Sequence, residues 1–150
     1  MKCLIQIVKH ASVEIVDTET TNSIATWLLI YVGISKNDLT TYPEKIEKFV
    51  RKISTTKFFF NPQTDKIDQS LEDIHGEILL ISNFTLYGDM RKWTKLDFSD
   101  SANFSEAKPI YDELVRKLQE KWIRLQTGEF GAMMKVSSLN DGPINIIWEE

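Results

Sequence analysis

The sequence predicts an α/β protein, a single layered α/β/β domain in which two amphipathic helices pack on a β-rich core. Three observations predict it. Only two segments carry a helical period. The remaining apolar segments have strand length or alternate apolar with polar. Each amphipathic helix needs a sheet face to cover, and the sheet's other face needs cover too, which a second β layer supplies. The 150 residues contain no internal repeat, low-complexity tract or linker-like stretch, so one domain spans 1–150.

In chain order, CLIQIVKHASVEI is β-like, with Ile5 and Ile7, then Val13 and Ile15, spaced by two. WLLIYVGI is a continuous apolar run, as expected of a strand covered on both faces. In YPEKIEKFVRKIS the period changes: Ile46, Phe49, Val50 and Ile53 form one helical stripe, and Pro43 falls near the first turn. KFFF reads as a short strand closed by NPQTDK, and after His75-Gly76 the stretch EILLISNFTLY is the strongest strand signal. A second helix is expected from Ser105 as N-cap, with Ile110, Leu114, Leu118 and Trp122 on one stripe and Lys117 and Lys121 toward its end. AMMKVSS, a turn and INIIW read as a terminal hairpin. The count is six to eight strands and two helices.

The net charge of −4 and pI near 5.3 provide no global field toward nucleic acid or anionic membrane. Local basic candidates are Arg91-Lys92 with Lys95, and Arg51-Lys52 with Lys57. The single cysteine, Cys3, excludes an intramolecular disulfide and suits a reducing compartment. The alternating start is not a signal peptide and no run reaches membrane-spanning length, so the expected location is cytoplasmic.

His10, His75 and Cys3 show no metal-ligand spacing, so no metal and no other cofactor is expected. Cys3 reads as a core residue, His10 as solvated at a strand end and His75 as a turn residue. No G-x-S-x-G, Walker A or G-x-G-x-x-G is present, and Glu129 inside GEFG argues against an RNA-clamping loop. Most carboxylates read as solvated helix faces. Asp89, Asp97 and Asp100 suit an active-site loop and a plain surface loop equally. Two features exceed what folding alone requires. SNFTLYGD puts Ser82, Asn83 and Thr85 where a buried strand would prefer aliphatics, and NDGPIN strips a backbone donor from the start of a strand. Each, alone, is equally an ordinary strand or turn.

Together and in this order, the two stretches resemble the D-aminoacyl-tRNA deacylase (D-tyrosyl-tRNA deacylase) family, whose members carry Ser-Gln-Phe-Thr-Leu and, near the C-terminus, Asn-x-Gly-Pro-Val-Thr. The corresponding residues here are SNFTL and NDGPIN. The resemblance extends through MKCLIQIVKHASVEI, LYGDMRKWTKLDFSDSA and FGAMMKVSSLNDGP. It implies a chiral-proofreading hydrolase that cleaves the ester joining a D-amino acid, or glycine mischarged on tRNA-Ala, to the 3′ end of tRNA. It also implies a homodimer in which a cis Gly142-Pro143 peptide reaches the partner's site, its carbonyls holding the substrate's amino group and excluding L side chains.

By the same resemblance the catalytic residues are Ser82, Asn83, Phe84 and Thr85, with the backbone N–H groups of Phe84 and Thr85 facing the developing oxyanion. Asn140, Gly142 and Pro143 bind substrate, and Phe130 and Met134 are candidates for the terminal adenosine. An activated water or the tRNA 2′-hydroxyl is favoured as attacking group over the Thr85 hydroxyl, because no base lies near Thr85 in sequence. Ile7, Asn83, Met133 and Asn145 depart from the family's Arg, Gln, Asp and Thr, which bears on the strictness of L-rejection. The alternatives are a deacylase of relaxed chirality and a non-catalytic, homodimeric tRNA-binding module.

Overall fold

The computed structural model describes all residues of the chain except Lys92, Trp93 and Trp122. Its organising element is β1 (Lys2–Ile15), long enough to pair with different neighbours along its two halves. The first half runs antiparallel to β3 (Trp27–Gly33), from Lys2 opposite Gly33 to Val8 opposite Trp27. The second half pairs with β2 (Thr20–Ile24), from Ala11 opposite Ile24 to Ile15 opposite Thr20. On the other edge β8 (Met134–Glu149) follows β1 antiparallel from Ile15 back to Lys2. The sheet continues from β3 to β6 (Glu77–Ser82) and on to β7 (Arg124–Thr127), both pairings parallel. Parallel neighbours need crossover connections. The two α-helices provide them: α1 (Tyr42–Thr55) lies between β3 and β6, and α2 (Phe104–Glu120) between β6 and β7. The β4 (Lys57–Asn61) and β5 (Lys66–Ser70) pair forms a separate two-stranded sheet after α1.

Alternation along the central strands separates two cores. Leu28, Ile30, Val32, Ile78 and Leu80 face the helices, where Ile46, Phe49, Val50 and Ile53 of α1 and Ile110, Leu114 and Leu118 of α2 are buried on them. Leu29, Leu79 and Ile81 face the other way and meet Val8, Ala11, Val13 and Ile24. The expected second β layer is therefore the same sheet folded over itself. The fold occurs where β1 breaks its alternation: Ile5 and Ile7 belong to the helix-side core and Val8 to the other, at the register shifts around Val8. Such an irregularity bends a strand and redirects its side chains. Cys3 is buried as expected, and burial pushes its thiol pKa up.

The terminal hairpin is not formed. Residues 134–149 are one strand, and both halves pair with β1 rather than with each other. The Gly-Pro stretch is a bulge in that ladder. Gln6 pairs with Asn145 and Val8 with Asn140, so Ile7 alone spans residues 141–144. The strongest predicted strand ends at Ser82, and residues 84–87 turn into a short 3₁₀ helix. The α2 N-cap is Asn103, not Ser105, because the Asn103 side chain accepts from Glu106 N–H at 3.1 Å. His10 lies exposed inside β1 rather than at its end, and His75 is a turn residue with φ of 50°. The predicted stripe position Trp122 and basic residue Lys92 lie outside the described residues.

Candidate active site

Leaving β6, the chain makes one more strand-like bond, from Asn83 N–H to the Val32 carbonyl at 2.8 Å, and then winds through Phe84–Tyr87. The Asn83 side chain initiates this turn. Its Oδ1 accepts from Thr85 N–H at 3.1 Å and from the Thr85 hydroxyl at 2.5 Å. Close approach of β3 makes the turn compact. A Cβ on Gly33 would stand 3.0 Å from the Asn83 carbonyl and 3.2 Å from Leu86 and Tyr87. Phe84 stays 57% exposed and rests edge-on against Phe98, ring centroids 5.1 Å apart.

Beyond the carboxyl ends of the parallel strands β3 and β6 opens a cleft of about 660 Å³. Residues 82–85 line it together with residues 130–134. Ligand sites commonly lie at such strand ends. Six of the nine residues singled out in the sequence, Ser82, Asn83, Phe84, Thr85, Phe130 and Met134, thus meet around one cavity. The lining otherwise consists largely of apolar and aromatic groups, Val32, Ile34, Ile81, Ala102 and Phe104 among them. Among the described residues no charged side chain lines it, and Tyr31 is its one ionisable group, half-buried with its phenol pKa pushed up by burial. The cleft therefore holds polar donors and acceptors without a formal charge.

The Phe130 side of the cleft is an aromatic edge. Phe104 and Phe130 meet edge to face with centroids 5.3 Å apart, and Phe130 also contacts Tyr111 at 5.3 Å. Gly131 has φ of 81°, and a Cβ there would collide with the Phe104 ring. Here glycine is required twice over, by conformation and by contact. The Tyr111 hydroxyl donates to the Leu80 carbonyl at 3.1 Å, tying this edge to β6.

Asn140, Gly142 and Pro143 are not among the residues lining this chain's cleft. They form the β8 bulge, where the Gly142-Pro143 peptide is cis and Gly142 has φ of 111°. Polar contacts brace the bulge. Asn145 Oδ1 accepts from Gln6 Nε2 at 2.7 Å and from Asn140 Nδ2 at 3.2 Å, and Lys9 pairs with Asp141 at 2.8 Å. Asn145, standing where the resembled family has Thr, thus uses its amide to join β1 to the bulge. Ile7, in place of Arg, is buried in the helix-side core. Met133 is largely exposed on the cleft rim. Of the basic candidates, Arg91 donates to Asp89 and Lys57 pairs with Asp73.

Sequence reasoning missed Tyr31, Ser101, Ala102 and Phe104 as cleft residues. Tyr31 was hidden in a run read as wholly buried, and Phe104 at a helix start whose cap was set two residues late. An aromatic just ahead of the amphipathic stripe was the available signal for Phe104.

A family model described as D-Tyr-tRNA(Tyr) deacylase matches residues 4–149. The chain is 40% identical over 147 residues to the D-aminoacyl-tRNA deacylase of Thermosipho africanus (strain TCF52B), covering 98% of this chain and 95% of that one. It is likewise 40% identical over 150 residues to the D-aminoacyl-tRNA deacylase of Rippkaea orientalis (strain PCC 8801 / RF-1), covering 99% of each. Among solved structures it is similar to a c-Myc DNA unwinding element binding protein, with TM-score 0.87 and 30% identity over 100% of this chain and 99% of that one. A probable eukaryotic D-amino acid tRNA deacylase superposes with TM-score 0.84 at 15% identity, over 98% of this chain and 97% of that one, a likeness of fold.

Proposed function

From the premise that this chain belongs to the D-Tyr-tRNA(Tyr) deacylase family and is a D-aminoacyl-tRNA deacylase, a hydrolase, we propose that the cleft at the ends of β3 and β6 is where the ester is cleaved. The observation that carries the proposal is convergence: residues 82–85 and the 130–134 edge, distant in sequence, line one uncharged cleft. The terminal adenosine stacks on the Phe104–Phe130 edge and packs against Met134. The ester carbonyl lies over residues 82–85, within reach of the Phe84 N–H, which has no partner among the described residues. The Thr85 hydroxyl is a structural donor to Asn83, so the attacking group is water, acting on the ester directly or after the tRNA 2′-hydroxyl has taken the acyl group.

The working unit is a homodimer. Among the described residues of one chain nothing charged lines the cleft to receive the substrate's ammonium, and the Gly142-Pro143 bulge is not part of its lining. β8 presents an edge unpaired among the described strands, with Leu139 63% and Ile147 73% exposed. Covering these residues with a second copy brings each bulge to the other chain's cleft, where its carbonyls accept from the α-amino group. Asn140, through its bond to Asn145, holds the bulge. Among the described residues no helix is long and apolar enough to cross a membrane, and the enzyme acts in the cytoplasm on aminoacyl-tRNA, glycyl-tRNA-Ala included.

The test is turnover by the purified chain of D-Tyr-tRNA, L-Tyr-tRNA and Gly-tRNA-Ala at matched concentration. Hydrolysis of the D- and glycyl-substrates with the L-substrate spared is expected. Comparable D and L rates would replace this reading with a relaxed-chirality deacylase, and binding without turnover would leave a tRNA-binding module.

A further inference from the structure

We infer that the side-chain amide of Asn83 is a catalytic hydrogen-bond donor, standing in for the Thr85 N–H at the developing oxyanion. The inference rests on the cleft being the deacylase site. Its starting point is a group already engaged: Thr85 N–H donates to Asn83 Oδ1 at 3.1 Å and the Thr85 hydroxyl donates to the same oxygen at 2.5 Å. Asn83 N–H is also occupied, by the Val32 carbonyl. Of the three successive backbone N–H groups at residues 83–85, only that of Phe84 has no partner among the described residues.

The orientation of the Asn83 amide follows from chemistry. A backbone N–H can only donate, so the Asn83 atom facing it must be oxygen. That directs Nδ2, with its two N–H groups, to the other side, and it has no acceptor among the described residues. Asn83 is partly exposed and lines the cleft. Two donations to one oxygen hold the side chain, so its N–H groups are preorganised, as oxyanion stabilisation requires. The short side chain matters: Asn reaches its own backbone two residues on, a geometry in which a longer Gln is not favoured.

In the hydrolytic step, the oxygen of water adds to the ester carbonyl carbon and the C=O π pair moves to oxygen. Collapse of the adduct expels the ribose oxygen, which takes up the proton lost by the attacking group. Asn83 Nδ2–H and Phe84 N–H both donate to the carbonyl oxygen while it carries the charge, and Asn83 is chemically unchanged.

The experiment uses the intact protein with D-Tyr-tRNA. Asn83→Ser keeps a side-chain acceptor for Thr85 N–H but has no amide, so melting temperature should hold while kcat falls about 100-fold and KM changes less than about threefold. Asn83→Asp also keeps the acceptor but, ionised, has no donor. Its kcat relative to wild type should be lowest at neutral pH and rise on acidification toward the carboxyl pKa, where the protonated acid can donate. A merely structural role moves neither the kcat–KM split nor this pH dependence. Should Asn83→Ser fail to fold, the Asn83→Asp pH dependence decides alone. The inference is overturned by a folded Asn83→Ser with kcat within about threefold of wild type, or by an Asn83→Asp to wild-type ratio that is flat with pH. Wild-type turnover is the control: its absence would overturn the assignment of the site, not this role for Asn83.

Discussion

Replacing Thr85 with Val removes its hydroxyl while keeping its shape and backbone. Two roles for that hydroxyl predict outcomes orders of magnitude apart. The hydroxyl donates to the neutral Asn83 Oδ1 at 2.5 Å, and the parallel bond from Thr85 N–H at 3.1 Å survives the substitution. Losing one neutral hydrogen bond at an exposed position costs about 0.5–1.5 kcal/mol. Even if all of it were lost from the transition state, the rate would fall by about tenfold at most, since about 1.4 kcal/mol is one decade. A nucleophilic hydroxyl would need a base to take its proton. An amide oxygen is not one, and among the described residues no His, Lys, Asp or Glu lines the cleft. Loss of a true nucleophile costs about four orders of magnitude or more. The assay is single-turnover hydrolysis of D-Tyr-tRNA by Thr85→Val, with a search by mass spectrometry for an aminoacyl adduct on the wild-type protein. A rate within about tenfold of wild type and no adduct are expected. A loss of about 10⁴ or an adduct at Thr85 would refute the reasoning.

Three further outcomes follow from the packing. Phe104, 59% exposed beside Phe130, should act through stacking on the adenine. Phe104→Ala should raise KM by about 5–150-fold, matching about 1–3 kcal/mol per stacked base, with little change in melting temperature, and an unchanged KM would remove it from the site. Tyr111→Phe deletes the bond to the Leu80 carbonyl, which still accepts from Gly128 N–H. The cost should be about 1 kcal/mol, a fall in melting temperature of about 2–4 °C, and a shift beyond 8 °C would show that more than this bond is lost. Buried Asp38 is pushed up by desolvation, but donation from Lys45, the Met1 amino group and Ser35 outweighs it and holds the carboxyl below its usual range. Its contribution is present above the unfolded value of about 3.9 and lost as pH falls through the folded one. Asp38→Asn should therefore lower stability at neutral pH and flatten the acid limb of melting temperature against pH. An acid limb identical to wild type would refute the assignment.

The architecture was legible where periodicity is unambiguous. The α1 stripe Ile46, Phe49, Val50 and Ile53 is buried as a set, and the run beginning at Trp27 is a strand with both faces covered. The C-terminal strand was misread because Asn-Asp-Gly-Pro has turn chemistry. Whether such residues reverse the chain or bulge from a ladder is decided by the partner, and β1 is long enough to pair with both halves. The cleft was legible through residues 82–85, whose polarity no buried strand needs. Tyr31 and Phe104 were not, because their role depends on strand ends and a helix start converging in space. Nor could spacing reveal that Asn83 occupies the Thr85 N–H, since that depends on a side-chain rotamer.

The central claim is that each working site joins the cleft of one chain to the Gly142 bulge of another. Subunit complementation tests it most directly. Gly142→Ala disturbs the bulge and leaves the cleft intact. The added Cβ would lie 2.8 Å from Ile144 Cγ1, at a φ of 111° that side chains rarely adopt. Ala132→Trp fills the cleft and leaves the bulge intact, since Ala132 lines the cavity. Both homodimers should be nearly inactive toward D-Tyr-tRNA. In heterodimers isolated through two different tags, the intact cleft of one chain meets the intact bulge of the other, and about half the wild-type turnover per dimer should return. Heterodimers as inactive as the two homodimers would show that each bulge serves its own chain or none, and would contradict the shared site.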